Sequence, residues 1–143
     1  MKMYNDLYGM QTVSLRYFNV YGPRQAYKGQ YAPVIGIFQK QKFEKKPLTI
    51  IGDGNQTRDF IHVADVAHAN VMVAESDVVG VFNVGSGIEY SVNQIAMLTK
   101  NPHGTTTIPS REGEARRSLS DNTKLKDIGW QPRIGLEAWM AKQ

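Results

Sequence analysis

Residues 14–25 constrain the fold of this chain more than any other segment. Their sequence, SLRYFNVYGPRQ, begins as a buried strand and stops abruptly in a loop of asparagine, glycine and proline that carries aromatic rings and an arginine. In α/β sheets the strand fixes the position of such a loop, and the loop at its carboxyl end contacts the ligand. The segment therefore predicts an α/β protein with a binding site at the end of this strand.

The rest of the chain alternates between strand and helix patterns, which also indicates an α/β fold rather than an all-α or all-β one. Strands are predicted at 13–17, 48–51, 58–62, 81–84 and 105–108. Helices are predicted at 1–8, 32–45, 63–75, 121–128 and 135–141, and a further helix follows the capping-box pair Ser91 and Gln94. The Gly-Ser-Gly turn at 85–87 lacks the full glycine fingerprint of a dinucleotide site, so we interpret it as structural.

Composition limits the classes of function. The 143 residues fit one domain, and their 41% hydrophobic content is enough for a core. The net charge of +4 is moderate and the basic residues are scattered, which favours an anionic small molecule over nucleic acid. The chain has no cysteine and no apolar run near the ~20 residues that cross a bilayer. We therefore expect a soluble cytoplasmic protein without disulfides, membrane contact or a metal site.

Two basic motifs are candidates for binding phosphate. Arg58 opens a short strand after a glycine-rich turn, in the sequence QTRDFIHV, and its planar guanidinium can present its N–H groups to a phosphate. The alternative is an ion pair with Asp59 or another surface carboxylate. The second motif, REGEARRS at 111–118, contains three arginines that either neutralise a diphosphate or coat a loop.

The segments at 14–25, 56–63 and 111–118 have an order and approximate spacing that resemble the extended short-chain dehydrogenase/reductase family, in particular its UDP-sugar 4-epimerases. The resemblance covers essentially the whole chain but only the carboxyl-terminal portion of the family's fold. It implies that residues 1–30 end a Rossmann-type domain. Residues 31–143 then form mostly the small α/β substrate-binding domain, and segments around 58–84 return to the Rossmann-type sheet.

The resemblance also implies roles for individual residues. The implied substrate contacts are Asn19, Val34, Thr49, Ile50, Ile51, Arg58, Arg111, Glu114 and Ser118, and the implied contacts with the nicotinamide of NAD are Tyr17 and Phe18. Within this set, the arginines and Asn19 match ligands of the diphosphate, Glu114 matches the ligand of ribose, and 49–51 matches the strand along uracil. The small Ser118 leaves space for a 2-N-acetyl group. Without the resemblance, the same positions describe core or rim aromatics, a buried strand and ordinary loop residues.

Two catalytic parts of the family's machinery do not occur in the sequence. There is no Gly-x-x-Gly-x-x-Gly turn for the pyrophosphate of NAD and no Tyr-x-x-x-Lys pair for the general base. We therefore expect the UDP-sugar-binding portion of an NAD-dependent 4-epimerase, which interconverts gluco and galacto epimers of UDP-glucose or UDP-N-acetylglucosamine by transient oxidation at C4. We expect this portion to be inactive alone. The alternatives are a non-catalytic UDP-sugar-binding module, half of a split enzyme, and a 4,6-dehydratase or decarboxylase of the same family.

The expected fragment has a consequence for packing. Helices that normally cover a completed sheet would leave an apolar patch exposed, and such patches favour association. We therefore expect a homo-oligomer, or pairing with an amino-terminal half.

Overall fold

The computed structural model describes residues 2–29, 32–110 and 112–143 of the chain. It has the mixed α/β class that the sequence predicts. The elements are, in chain order, α1 (Lys2–Tyr8), β1 (Val13–Tyr17), β2 (Asn19–Tyr21), α2 (Val34–Phe43), β3 (Leu48–Ile51), β4 (Thr57–His62), α3 (Val63–Ala74), β5 (Gly80–Val84), β6 (Glu89–Ser91), α4 (Val92–Thr99), β7 (Thr105–Ile108), β8 (Arg117–Ser118), α5 (Thr123–Asp127) and α6 (Leu136–Met140).

Most strand pairs are parallel. β1 pairs with β5, and β3 pairs with β7, each along its whole length. In the remaining sheet, β4 is central, because β2 and β8 run parallel to it and β6 runs antiparallel to it. β4 therefore forms the frame on which the loops around it are positioned.

The strand formed by β1 and β2 changes partner in its middle. Tyr17 lies opposite Val84 of β5, whereas Asn19 lies opposite Phe60 of β4. Phe18 separates the two pairings and donates its backbone N–H to the carbonyl of Val84 at 3.0 Å. Ligands of open α/β sheets bind outside the carboxyl ends of strands, where neighbouring strands diverge. The chain thus changes its pairing from β5 to β4 within residues 14–25, the segment in which the sequence predicts a strand and a ligand loop.

Two apolar cores hold these elements together. The first surrounds the buried Phe38 and joins α2, β3, α4 and α6, and the second surrounds the buried Trp130 and joins α3 and α5 to the β1–β5 sheet. Adjacent residues of a strand point to opposite faces. In β4, Phe60 accordingly packs in the first core and Ile61 in the second, so this strand separates the two cores.

The ends of the helices follow local capping rules. The helix predicted at 32–45 begins only at Val34, because Pro33 is an N-cap with extended φ and ψ of −68° and 146°. The predicted capping box is confirmed: the backbone N–H of Gln94 donates to Ser91 Oγ at 3.1 Å, and the N–H of Ser91 donates to Gln94 Oε1 at 2.7 Å. β2, β6 and β8 are missing from the prediction, because strands of two or three residues contain too little pattern.

The helices in the described part of the chain are short. α3, with 12 residues, is the longest of them, and none combines the length and the apolar character needed to cross a membrane.

Candidate functional site

A cavity of about 570 Å³ opens between α2, β3 and β4, beside β2. Its wall is apolar where α2 contributes, and it carries polar and charged groups along β4. The lining residues are Asn19, Val20, Gly29, Ala32, Pro33, Val34, Ile37, Phe38, Thr49, Ile51, Gln56, Arg58, Phe60, Val92 and Glu114. The predicted substrate contacts among them are Asn19, Val34, Thr49, Ile51, Arg58 and Glu114. The fold therefore brings together, in one cavity, residues that the sequence analysis selected from separate motifs.

Arg58 and Glu114 form an ion pair in this cavity. Arg58 Nη2 lies 3.2 Å from Glu114 Oε1, and the two side chains are only 19% and 29% exposed. Arg58 Nη1 also donates to the carbonyl of Thr57 at 2.8 Å, which directs the guanidinium along the strand. The alternative interpretation, an ion pair of Arg58 with Asp59 or another carboxylate, thus describes the observed contact, in which the carboxylate is that of Glu114.

Asp59 has a structural role, and its carboxylate is completely buried. One oxygen accepts hydrogen bonds from the backbone N–H and the hydroxyl of Ser86, and the other accepts from the N–H of Gly87 and from the N–H and hydroxyl of Ser120. Buried charge is tolerated when donors surround it in this way. The turn at 85–87 is therefore structural, as predicted, since Asp59 occupies its N–H groups.

Asn19 is anchored to the main chain of the central strand. Its Nδ2 donates to the carbonyl of Asp59 at 2.8 Å. Because a carbonyl only accepts, the NH₂ end of the amide must face β4. The first residue of β2 is thereby fixed at the edge of the cavity.

β3 presents alternate residues to the cavity. Thr49 and Ile51 line it, whereas Ile50 points into the first core and is 8% exposed. Gln41 of α2 holds Thr49 in place, because its Oε1 accepts from the backbone N–H of Thr49 at 3.1 Å and its Nε2 donates to the threonine Oγ1 at 2.9 Å. A ligand along this strand therefore meets the side chains of Thr49 and Ile51 and not that of Ile50.

Gln56 is a lining residue that the sequence analysis missed. It is 6% exposed, and its Nε2 donates to the carbonyl of Ile51 at 2.9 Å. Its Oε1 is buried and has no hydrogen-bond partner among the described residues. The sequence does contain a signal for Gln56. It precedes Arg58 by two positions, and residues two positions apart in a strand point to the same face.

The remaining predicted site residues lie outside the cavity lining. Tyr17 is half exposed on β1 and donates its hydroxyl to Asn70 Oδ1 of α3 at 2.9 Å. Phe18 is partly buried beside it, and Ser118 is partly buried in β8, where it pairs with Arg58. Arg111 lies outside the described residues. The cofactor and sugar contacts assigned to these four residues stay predictions.

Carboxylates hold the other two arginines of the 111–118 motif. Arg116 donates to both carboxylate oxygens of Asp53 at 3.0 Å, and these hydrogen bonds lower the pKa of Asp53 to about 2. Arg117 donates to Glu89 at 2.7 Å and lowers the pKa of that carboxyl group. Arg116 therefore ties this segment to the turn after β3, and Arg117 ties it to β6. No cluster of potential metal ligands occurs within the described residues.

Known proteins have similar sequences and structures. Residues 1–85 match the model of the NAD dependent epimerase/dehydratase family. The chain is 43% identical over 142 residues to a putative UDP-glucose 4-epimerase of Methanocaldococcus jannaschii, covering 95% of this chain and 45% of that protein. It is 33% identical over 133 residues to UDP-glucuronic acid decarboxylase 1 of Arabidopsis thaliana, covering 90% of this chain and 30% of that protein.

The fold has a solved counterpart. The UDP-glucose 4-epimerase of Thermotoga maritima, crystallised with UDP-glucose, superimposes with a TM-score of 0.90 and 37% sequence identity, over 97% of this chain and 46% of that one. The chain thus spans about half the length of this structure and less than half of the curated relatives named above.

Proposed function

This chain belongs to the NAD-dependent epimerase/dehydratase family, and from that premise we propose that it supplies the nucleotide-sugar side of the site of a UDP-sugar 4-epimerase. The observation that carries the proposal is the cavity, in which Arg58 and Asn19 lie together with the apolar wall of α2. A nucleotide diphosphate needs both kinds of surface, because the flat face of its base packs against apolar groups and its phosphates are charged.

Each part of the cavity has a proposed role. The guanidinium of Arg58 carries five N–H groups in a planar fork, so it can donate to phosphate oxygens while it keeps its contact with Thr57. Asn19 stands beside it at the start of β2. The apolar side chains of α2 and the exposed side of β3 provide the surface along which uracil packs, and Glu114 accepts hydrogen bonds from the ribose.

The glycine-rich turn at 85–87 does not fit the pyrophosphate of NAD. The Gly-Ser-Gly turn at 85–87 follows a parallel strand, but its backbone N–H groups already donate to Asp59. Tyr17 and Phe18 remain the proposed edge of a nicotinamide pocket, as the family implies. We propose that the 143-residue chain binds UDP-sugars without turning them over.

Two finer features belong to the same proposal. The small Ser118 beside Arg58 supports a pocket that accepts a 2-N-acetyl group, so that UDP-N-acetylglucosamine is a substrate candidate together with UDP-glucose. The exposed apolar side chains of α1 support association, either with a second copy or with an amino-terminal half.

The test is a calorimetric titration of the chain with UDP, compared with the variant Arg58→Ala. Loss of a charge-assisted contact should weaken binding by roughly tenfold to a hundredfold. Arg117→Ala is the matched control, because it removes an arginine of the neighbouring strand β8 that pairs with Glu89 outside the cavity. No saturable binding by the wild-type chain, or equal affinity in Arg58→Ala, would contradict the proposal.

The match to a decarboxylase supports a second candidate within the family. A decarboxylase portion would favour UDP-glucuronic acid, whose sugar carries an additional carboxylate, over UDP-glucose. Titration with both compounds distinguishes the two, since an epimerase portion specific for neutral hexoses should bind UDP-glucose at least as tightly.

A further inference from the structure

Within the cavity, Arg58 is already paired with an anion, the carboxylate of Glu114. Glu114 Oε1 lies 3.2 Å from Nη2 of the arginine, and both side chains line the cavity. Their low exposure, 19% and 29%, means that water screens this pair less than it screens the fully exposed pairs of the surface. Any second anion that approaches Arg58 therefore competes with a carboxylate already in contact.

The backbone that carries Glu114 is tied to its surroundings independently of this pair. Arg116 makes two hydrogen bonds with Asp53, and its carbonyl accepts the N–H of Thr57 at 2.9 Å. These ties lie two positions beyond Glu114, so they hold the segment against β4 when the ion pair opens. Separation of Glu114 from Arg58 then requires rotation of side chains rather than release of the loop.

We infer that Glu114 determines specificity by competition: its carboxylate occupies the position on Arg58 that the phosphate of a ligand takes, and the ligand must exchange with it. The inference rests on the proposed function, since it assumes that Arg58 receives the diphosphate. An inorganic phosphate or diphosphate that displaces the carboxylate remains beside it. Two anions at close range repel each other, so this exchange is unfavourable.

A nucleotide compensates for the displaced carboxylate. The ribose of UDP has two neighbouring hydroxyl groups, which can donate hydrogen bonds to a carboxylate. The exchange then replaces one charge-assisted contact, between Arg58 and Glu114, by two: Arg58 with phosphate and Glu114 with ribose. Glu114 thus favours ligands in which an anion and a diol are joined, and it discriminates against the free phosphates that surround such ligands in a cell.

The experiment titrates the chain and its Glu114→Gln variant with inorganic diphosphate and with UDP. Glutamine keeps the shape of the side chain and removes its charge. We expect the variant to bind inorganic diphosphate roughly threefold to tenfold more tightly than the wild type does. UDP should bind with equal or lower affinity, because an amide oxygen is a weaker acceptor for the ribose hydroxyls.

Glu89→Gln is the matched control. Glu89 pairs with Arg117 at 2.7 Å outside the cavity, so its replacement changes the net charge equally without freeing Arg58. The inference is overturned if Glu114→Gln binds diphosphate no more tightly than the wild type, or if Glu89→Gln strengthens diphosphate binding as much. Failure of the proposed function has another signature, namely equal UDP affinity in the wild type and in Arg58→Ala. Thermal unfolding of each variant by circular dichroism verifies that it is folded.

Discussion

Asp59 organises the candidate site although it does not line the cavity. Its carboxylate accepts hydrogen bonds from Ser86, Gly87 and Ser120, and its backbone carbonyl accepts one from Asn19. One residue of β4 therefore joins β2, the glycine-rich turn after β5 and the segment that follows β8. Of these segments, β2 lines the cavity, through Asn19 and Val20.

We expect Asp59→Asn to lower the free energy of unfolding by about 3 kcal/mol or more. The amide replaces one acceptor oxygen by an NH₂ group, which then faces the donors of Ser86 or Ser120. Urea denaturation measures the loss. Ser120→Ala is the milder variant, in case Asp59→Asn does not fold; it removes one hydroxyl donor and should cost about 1–2 kcal/mol. Wild-type stability in Ser120→Ala would show that the carboxylate does not depend on this partner.

His62 links the stability of the fold to pH. Its Nδ1 accepts the backbone N–H of Ala64 at 3.1 Å, where α3 begins. Burial lowers the pKa of His62, although the neighbouring Asp65 opposes the shift. The unfolded chain therefore binds this proton more readily than the folded chain. The contribution to stability is complete above the unfolded pKa of about 6.5 and is lost as the pH falls below it.

His62→Asn isolates this contribution, because asparagine is a good N-cap that does not titrate in this range. We expect the free energy of unfolding of the variant to fall less steeply than that of the wild type between about pH 8 and pH 5. Subtraction of the two curves removes the contributions that are common to both proteins. If the two curves run parallel, the titration of His62 does not affect stability.

At the scale of elements, the predictions are best where a strand carries its own pattern. β1, β3 and β7 have the predicted bounds. β3 and β7 are runs of β-branched or apolar residues next to turn residues, and β1 alternates apolar and polar residues. β8 is different, because its two residues form a strand only through their contact with β4. Such pairing depends on the position of a distant segment and is invisible in the local sequence.

The same limit applies to the candidate site. Arg58 and Glu114 are predicted from motifs 56 positions apart, but the ion pair between them depends on the tertiary fold. Gln56 could have been predicted from the two-residue period of a strand. Phe38 and Val92, in contrast, reach the cavity only because α2 and α4 pack onto the first core. Motifs predicted the polar residues of the cavity better than packing residues, which have no distinctive chemistry in the sequence.

The turn between β3 and β4 provides a test of how the loop beside the cavity is held. Asp53 in this turn has a pKa lowered to about 2, chiefly by its hydrogen bonds with Arg116. A lowered carboxyl pKa contributes stability above the unfolded value near pH 4, and the contribution disappears as the pH falls through the folded value.

We therefore expect Asp53→Asn to be less stable than the wild type at neutral pH, and the difference to shrink as the pH falls from about 4 to 2. Added salt should also reduce it, because the pair is exposed and screened. Acid titrations of both proteins, followed by circular dichroism, measure the difference. A difference in stability that stays constant down to the lowest pH would mean that Asp53 acts through its turn geometry and not through its charge.

For the molecule as a whole, exposed apolar side chains are concentrated at α1 and the loop after it. Each of the following is at least half exposed: Met3, Tyr4, Leu7, Tyr8 and Met10. β1 lies next in the chain and pairs only with β5 among the described residues. An apolar helix surface and an open strand edge both favour association, because contact removes apolar area from water and satisfies backbone groups.

Sedimentation velocity is the measurement for this surface. We expect the wild-type chain to form dimers or larger species at micromolar concentration, and we expect the double variant Tyr4→Lys, Leu7→Lys to shift toward the monomer. Phe43→Lys is the control, because Phe43 is 88% exposed but lies on a different helix, α2. A monomeric wild type, or equal shifts in both variants, would contradict a specific surface. If the double variant is monomeric and still binds UDP, association and nucleotide binding belong to separate surfaces, and the cavity needs no second copy to form.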